Sequence, residues 1–132
     1  MRTGTMRRKI LIIDDETPTL EMLQDFLCDE YDVTVADDLM SGTLKLLNLP
    51  FDLLILDVRL PGMGAYEYLQ MLINGGHFAD LPVLMVSADR KAPESFVPGP
   101  KRAYLPKPLR PAALMGTLHQ LLAPEAAIVV GR

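Results

Sequence analysis

The run Ile10-Leu11-Ile12-Ile13-Asp14-Asp15-Glu16 decides the fold. Four consecutive apolar residues show no polar alternation, which is the mark of a strand buried on both faces. Acidic residues follow immediately. The pattern recurs at Leu53-Leu54-Ile55-Leu56-Asp57, and again, with a hydroxyl in place of the acid, at Val83-Leu84-Met85-Val86-Ser87. Working outward, helical periods fill the intervals. Thr17-Pro18 reads as an N-cap with a proline at the first helical position. Behind it Leu20, Leu23 and Leu27, joined by Met22 and Phe26, form an apolar helical face. Tyr31, Val33 and Val35 alternate as a strand. Met40, Thr43, Leu44 and Leu47 have the i, i+3, i+4, i+7 spacing of a helix's apolar stripe. Leu69, Leu72 and Ile73 continue a helix from about Ala65, stopped by Asn74-Gly75-Gly76. Ala103-Tyr104-Leu105 predicts a fifth strand. Pro111 opens a last helix carrying Leu114, Met115, Leu118, Leu121 and Leu122 on one face and ending near Pro124. This alternation predicts an α/β fold: a doubly wound parallel sheet of five strands with helices on both faces.

Composition narrows the function classes. At 132 residues the chain is the size of one domain, and 49% hydrophobic with 23% charged residues is ordinary globular usage. A net charge of −4 gives no general attraction to nucleic acid or an anionic membrane. One cysteine, Cys28, precludes an intrachain disulfide and fits a reducing, cytoplasmic setting. No apolar run reaches the roughly 18–20 residues of a membrane span, and no signal peptide is expected. The anomaly is proline. There are 11, and six (Pro93, Pro98, Pro100, Pro106, Pro108, Pro111) fall between positions 93 and 111. Proline breaks helix and strand interiors, so that interval is predicted to be irregular.

Ligands of open parallel sheets bind beyond the carboxyl ends of the strands. There the sequence places Asp14, Asp15 and Glu16 after the first strand, Asp57 after the third, Ser87 after the fourth and Lys107 after the fifth. Carboxylates packed together repel unless a cation neutralises them. Mg²⁺, held by one or two carboxylates and water, suits such a set and suits phosphoryl chemistry. An aspartate can act as a nucleophile toward phosphorus, with Lys107 and Ser87 placed to steady the charge. The acidic loop also excludes a flavin phosphate, which needs donors around it.

These stretches resemble the receiver domain of two-component response regulators. The matching pieces are residues 10–16, Asp-Leu-Leu-Ile-Leu-Asp-Val-Arg-Leu-Pro-Gly-Met at 52–63, Val-Ser-Ala at 86–88 and Tyr-Leu-Pro-Lys-Pro at 104–108, in order and at family-like spacing. The resemblance implies a flavodoxin-like sheet with strand order 2-1-3-4-5. It bounds an N-terminal extension at 1–7, a receiver domain at 8–122 and a tail at 123–132. It implies that Asp57 accepts a phosphoryl group from a histidine kinase or phosphotransfer protein. It implies that Asp14, Asp15, Asp57 and the backbone carbonyl of Arg59 hold Mg²⁺, and that Lys107 pairs with Asp57 and then with the phosphoryl group. Ser87 and Tyr104 are implied to move on activation, Ala88 leaves room for the phosphoryl group, and the Lys107–Pro108 bond is expected to be cis.

Two departures stand out. Gly64-Ala65 stands where the family usually has Asp, Asn or Ser followed by Gly, so the cap lacks a side-chain acceptor. Pro93, Pro98 and Pro100 interrupt the interval of the family's fourth helix, which is predicted to be shortened or missing. The leading expectation is a bacterial, cytoplasmic signalling domain rather than an enzyme. It would act through an unidentified downstream protein, with a homodimer as a further partner, and without nucleic acid or membrane. Two alternatives stay open: a receiver-like interaction module independent of phosphorylation, and a Mg²⁺-dependent aspartyl phosphohydrolase. The tail Ala126–Arg132 reads equally as a disordered end, an added strand or the start of further chain.

Overall fold

In the computed structural model the three apolar runs at 10–13, 53–56 and 83–86 are strands. The structure describes residues 7–60, 64–74, 78–89, 96 and 98–123. The elements are β1 (Lys9–Ile13), α1 (Thr17–Leu27), β2 (Asp32–Ala36), α2 (Leu39–Asn48), β3 (Leu53–Asp57), α3 (Ala65–Asn74), β4 (Val83–Ser87), β5 (Arg102–Pro106) and α4 (Pro111–Leu121). The five strands form one sheet in the order β2-β1-β3-β4-β5, every pair parallel. The expected sheet and strand order are therefore present. The predicted loss of the family's fourth helix falls mainly on residues 90–95 and 97, outside the described residues.

Side chains of a strand alternate between the two faces of its sheet, so each run feeds two cores. Ile10, Ile12, Leu53, Ile55, Leu84 and Val86 pack against Leu20, Leu23 and Leu27 of α1 and Leu114, Leu118 and Leu121 of α4. Leu11, Ile13, Leu54, Leu56, Val83 and Met85 pack against Leu46 of α2 and Tyr68, Leu69 and Leu72 of α3. β1, β3 and β4 are buried on both faces, whereas β5, at the sheet edge, is only partly covered. Pro106 closes β5, where a missing N–H is tolerated.

Three local readings are corrected. The N-cap of α1 is Glu16, not Thr17, and it caps with no side-chain bond of its own, because its carboxylate is engaged by Thr19 and Lys107. Met22 and Phe26 lie outside the buried face of α1, at 42% and 39% exposure. The apolar stripe of α2 faces outward: Met40, Leu44 and Leu47 are 77%, 55% and 62% exposed. The buried side is instead Gly42 and Leu46. A Cβ on Gly42 would overlap the Ile13 side chain, so the missing side chain lets α2 lie close on the sheet and fixes its rotation. Asp38 caps the helix, accepting from Ser41 N at 2.7 Å. At α3, Gly64 does lack an acceptor, but its N–H donates to Glu67 Oε1 at 3.1 Å, half of a capping box.

Candidate functional site

The parallel register aligns the carboxyl ends of the central strands. Ile13 is beside Leu56, Asp57 beside Val86 and Ser87 beside Pro106. Asp14, Asp57, Ser87 and Lys107 are thereby brought to one edge. One carboxylate oxygen from each of Asp14, Asp15 and Asp57 lies within 4.8 Å of the other two. Asp14 and Asp57 are buried and Asp15 is exposed.

Each buried aspartate divides its two oxygens between loop and cleft. Asp14 Oδ1 accepts from Glu16 N at 2.8 Å, and Asp57 Oδ1 accepts from Arg59 N at 3.0 Å. These i to i+2 bonds shape the loop after each strand. The other oxygens meet the Lys107 ammonium, 2.9 Å from Asp14 Oδ2 and 3.6 Å from Asp57 Oδ2. Lys107 is positioned by its own backbone, whose N–H donates to Ser87 O at 2.6 Å, and its bond to Pro108 is cis as expected. Sequence reasoning did not assign a role to Glu16, whose Oε1 is 2.7 Å from the same ammonium. Its signal was present in the Asp-Asp-Glu run, but contact with Lys107 depends on the reach of a longer side chain.

The electrostatics follow burial. Burial raises the Asp14 carboxyl above its ordinary pKa, and the Asp57 charge adds to this, outweighing the opposing pull of the nearby Lys107 ammonium and of the bond from Glu16 N. Burial also works against the Lys107 ammonium, but the hydrogen bond to Glu16, the close contact with Asp14 and the charges of Asp14 and Asp57 raise its pKa above the lysine range. The Lys107 hydrogen bond and charge lower that of Glu16. Asp14 Oδ2 is the telling atom. It is buried, and although the ammonium is 2.9 Å away, no side chain or backbone group meets it with hydrogen-bond geometry. A buried anionic oxygen with a vacant lone pair, beside two further carboxylates, is a donor set that fits a hard divalent cation.

The remaining expected residues surround this centre. Ser87 is buried, and its Oγ accepts from Asp89 N at 3.2 Å. Tyr104 is half-buried on β5; its hydroxyl donates to Asp89 O at 2.7 Å and its ring lies 6.0 Å from that of Phe96. The Arg59 guanidinium is exposed and 3.5 Å from Asp89 Oδ1. His119 is 3.0 Å from Glu30 at the surface. A cavity of about 560 Å³ lies against β5 and the end of α4, lined by Phe96, Lys101, Arg102, Tyr104 and Gln120 among others, but not by the carboxylates.

The fold is an open parallel α/β sheet that gathers three acids and a lysine at its carboxyl edge. The sequence model described as Response regulator receiver domain matches residues 10–119, and the chain belongs to that family. It is 36% identical over 112 residues to the two-component response regulator ARR14 of Arabidopsis thaliana, covering 80% of this chain and 28% of that one. It is 31% identical over 123 residues to the phosphate regulon transcriptional regulatory protein PhoB of Klebsiella pneumoniae, covering 89% of this chain and 52% of that one. The chain thus spans about half or less of these curated relatives. The fold matches the chemotaxis response regulator CheY4 of Vibrio cholerae with a TM-score of 0.78 at 28% identity, over 89% of this chain and all of that one. Relatives in both plants and bacteria leave the expected bacterial source without support. Among the described residues no helix is long and apolar enough to cross a membrane.

Proposed function

We propose that this receiver domain is a phosphorylation-dependent switch in two-component signalling. In the transfer, an Asp57 carboxylate oxygen forms a bond to phosphorus while the phosphorus–nitrogen bond of a phosphohistidine breaks. The imidazole leaves and takes up a proton. The donor is a histidine kinase or phosphotransfer protein. Asp14, Asp15, Asp57 and the Arg59 carbonyl would hold Mg²⁺, which supplies positive charge for the phosphoryl oxygens. Lys107 offers a second positive charge, 3.6 Å from Asp57 Oδ2, and Ser87 offers a hydroxyl. Tyr104 and Ser87 both contact Asp89, and we assign them the response to phosphorylation. The domain acts as a cytoplasmic signalling element, not as an enzyme on a separate substrate, and works through a downstream protein or a second copy of itself, without nucleic acid or membrane.

The observation that carries this reading is the convergence of Asp14, Asp15 and Asp57 on one another, with the Lys107 ammonium beside Asp14 and Asp57 and with Asp14 Oδ2 lacking a hydrogen bond. Mass measurement of the intact protein after incubation with Mg²⁺ and a small acyl phosphate tests it. A phosphoryl adduct that disappears in Asp57→Asn is expected. No adduct would favour an interaction module independent of phosphorylation. Continuous phosphate release without an adduct would favour a hydrolase.

A further inference from the structure

One carboxylate at this site lies outside the set that would hold a cation. Glu16 is not among the three whose oxygens converge. Yet its Oε1 is the closest oxygen to Lys107 Nζ, at 2.7 Å against 2.9 Å for Asp14 and 3.6 Å for Asp57. Its backbone is fixed at both ends: the N–H donates to Asp14 Oδ1, and the carbonyl accepts from Leu20 N at the start of α1. Thr19 Oγ1 donates to the same Oε1 at 3.2 Å. Lys107 is likewise tied through its backbone to Ser87. The ammonium is therefore shared among three carboxylates whose own positions are set by the loops.

For Asp14, Asp15 and Asp57 to hold a divalent cation, the ammonium has to leave Asp14 Oδ2, since two positive charges at contact distance repel. Glu16 is exposed and outside the ligand set, so the ammonium can keep its bond there while yielding the other two. We propose that Glu16 is a positioning residue: it parks the Lys107 ammonium beside the site, clears Asp14 Oδ2 for Mg²⁺ and keeps the ammonium in reach of Asp57. The inference rests on the reading of Asp57 as a Mg²⁺-dependent phosphoacceptor.

Calorimetric titration of Mg²⁺ into the full chain tests it in four forms: wild type, Glu16→Gln, Lys107→Ala and the double variant. Glu16→Gln is expected to weaken Mg²⁺ binding about three- to fivefold, the scale of an exposed ion pair. The loss should vanish in the Lys107→Ala background, because no ammonium is left to park. An equal loss in both backgrounds would mean a plain field effect of the missing charge, and would overturn the proposal, as would unchanged affinity in Glu16→Gln. Formation of the Asp57 adduct, followed in parallel, separates the two claims. An adduct in wild type with no Glu16–Lys107 coupling defeats parking alone. Absence of both Mg²⁺ binding and adduct in wild type defeats parking and phosphorylation together.

Discussion

The Lys107 ammonium stands closer to Asp14 Oδ2, at 2.9 Å, than to Asp57 Oδ2, at 3.6 Å. Without a cation it is the only positive charge shared by these two buried acids among the described residues. Replacing it by alanine leaves two carboxylates facing one another. Lys107→Ala is expected to destabilise the Mg²⁺-free domain by about 2 kcal/mol, below the full cost of orphaning a buried charge because the lysine is partly exposed. Millimolar Mg²⁺ should recover much of the loss by binding only the folded state. Urea unfolding with and without Mg²⁺ checks both; equal losses in the two conditions would contradict the cation assignment.

Burial raises the Tyr68 phenol above its ordinary value of 10.0, more than the bond to Thr43 lowers it. The folded state then keeps a proton that the unfolded chain gives up, so this contribution to stability is intact below pH 10 and is lost as pH rises through the raised value. Tyr68→Phe should flatten the decline of stability that begins near pH 10. Tyrosinate absorbance follows ionisation directly, because the chain has no tryptophan. A decline of equal steepness in Tyr68→Phe would refute the assignment.

The outward stripe of α2 makes a contrast between neighbours. Leu44 is 55% exposed and Leu46 is 3% exposed. Leu44→Gln should change stability by less than about 0.5 kcal/mol. Leu46→Ala should cost about 2–4 kcal/mol through lost burial and a residual cavity. Chemical denaturation of the two variants side by side would expose a reversed face at once.

Gly42 supplies a steric test. Gly42→Ala puts a methyl group into the Ile13 side chain and is expected to cost about 1–3 kcal/mol, despite the better helix propensity of alanine. Ile13→Val removes Cδ1, one of the overlapped atoms, so the double variant should lose less than the two single effects added together. Strict additivity would show that the contact is not responsible.

Strands were legible because a run such as Leu53-Leu54-Ile55-Leu56 can hardly be anything but buried, and a terminal acid marks its end. Asp14, Asp57, Ser87 and Lys107 were legible for the same reason, since a parallel sheet puts all its strand ends on one edge. The face of α2 was not. Periodicity counts apolar residues, whereas rotation of this helix is set by the residue with no side chain, Gly42, meeting Ile13. Glu16 was missed for a different reason: its partner Lys107 is 91 positions away, and only side-chain length decides whether they meet. The exposure of Met22 and Phe26 likewise depends on how α1 is turned against the sheet.

Asp89 touches three separate parts of the chain. Its carboxylate meets Arg59, whose N–H is bound to Asp57; its carbonyl holds the Tyr104 hydroxyl; its N–H reaches Ser87 Oγ. These contacts form a bridge from the end of β3 to the outer strand that bypasses the proline-bearing interval altogether. The loop after β3 and the sheet edge are thus joined through Asp89. The bridge's weakest span is the exposed Arg59–Asp89 pair, which should loosen as ionic strength rises.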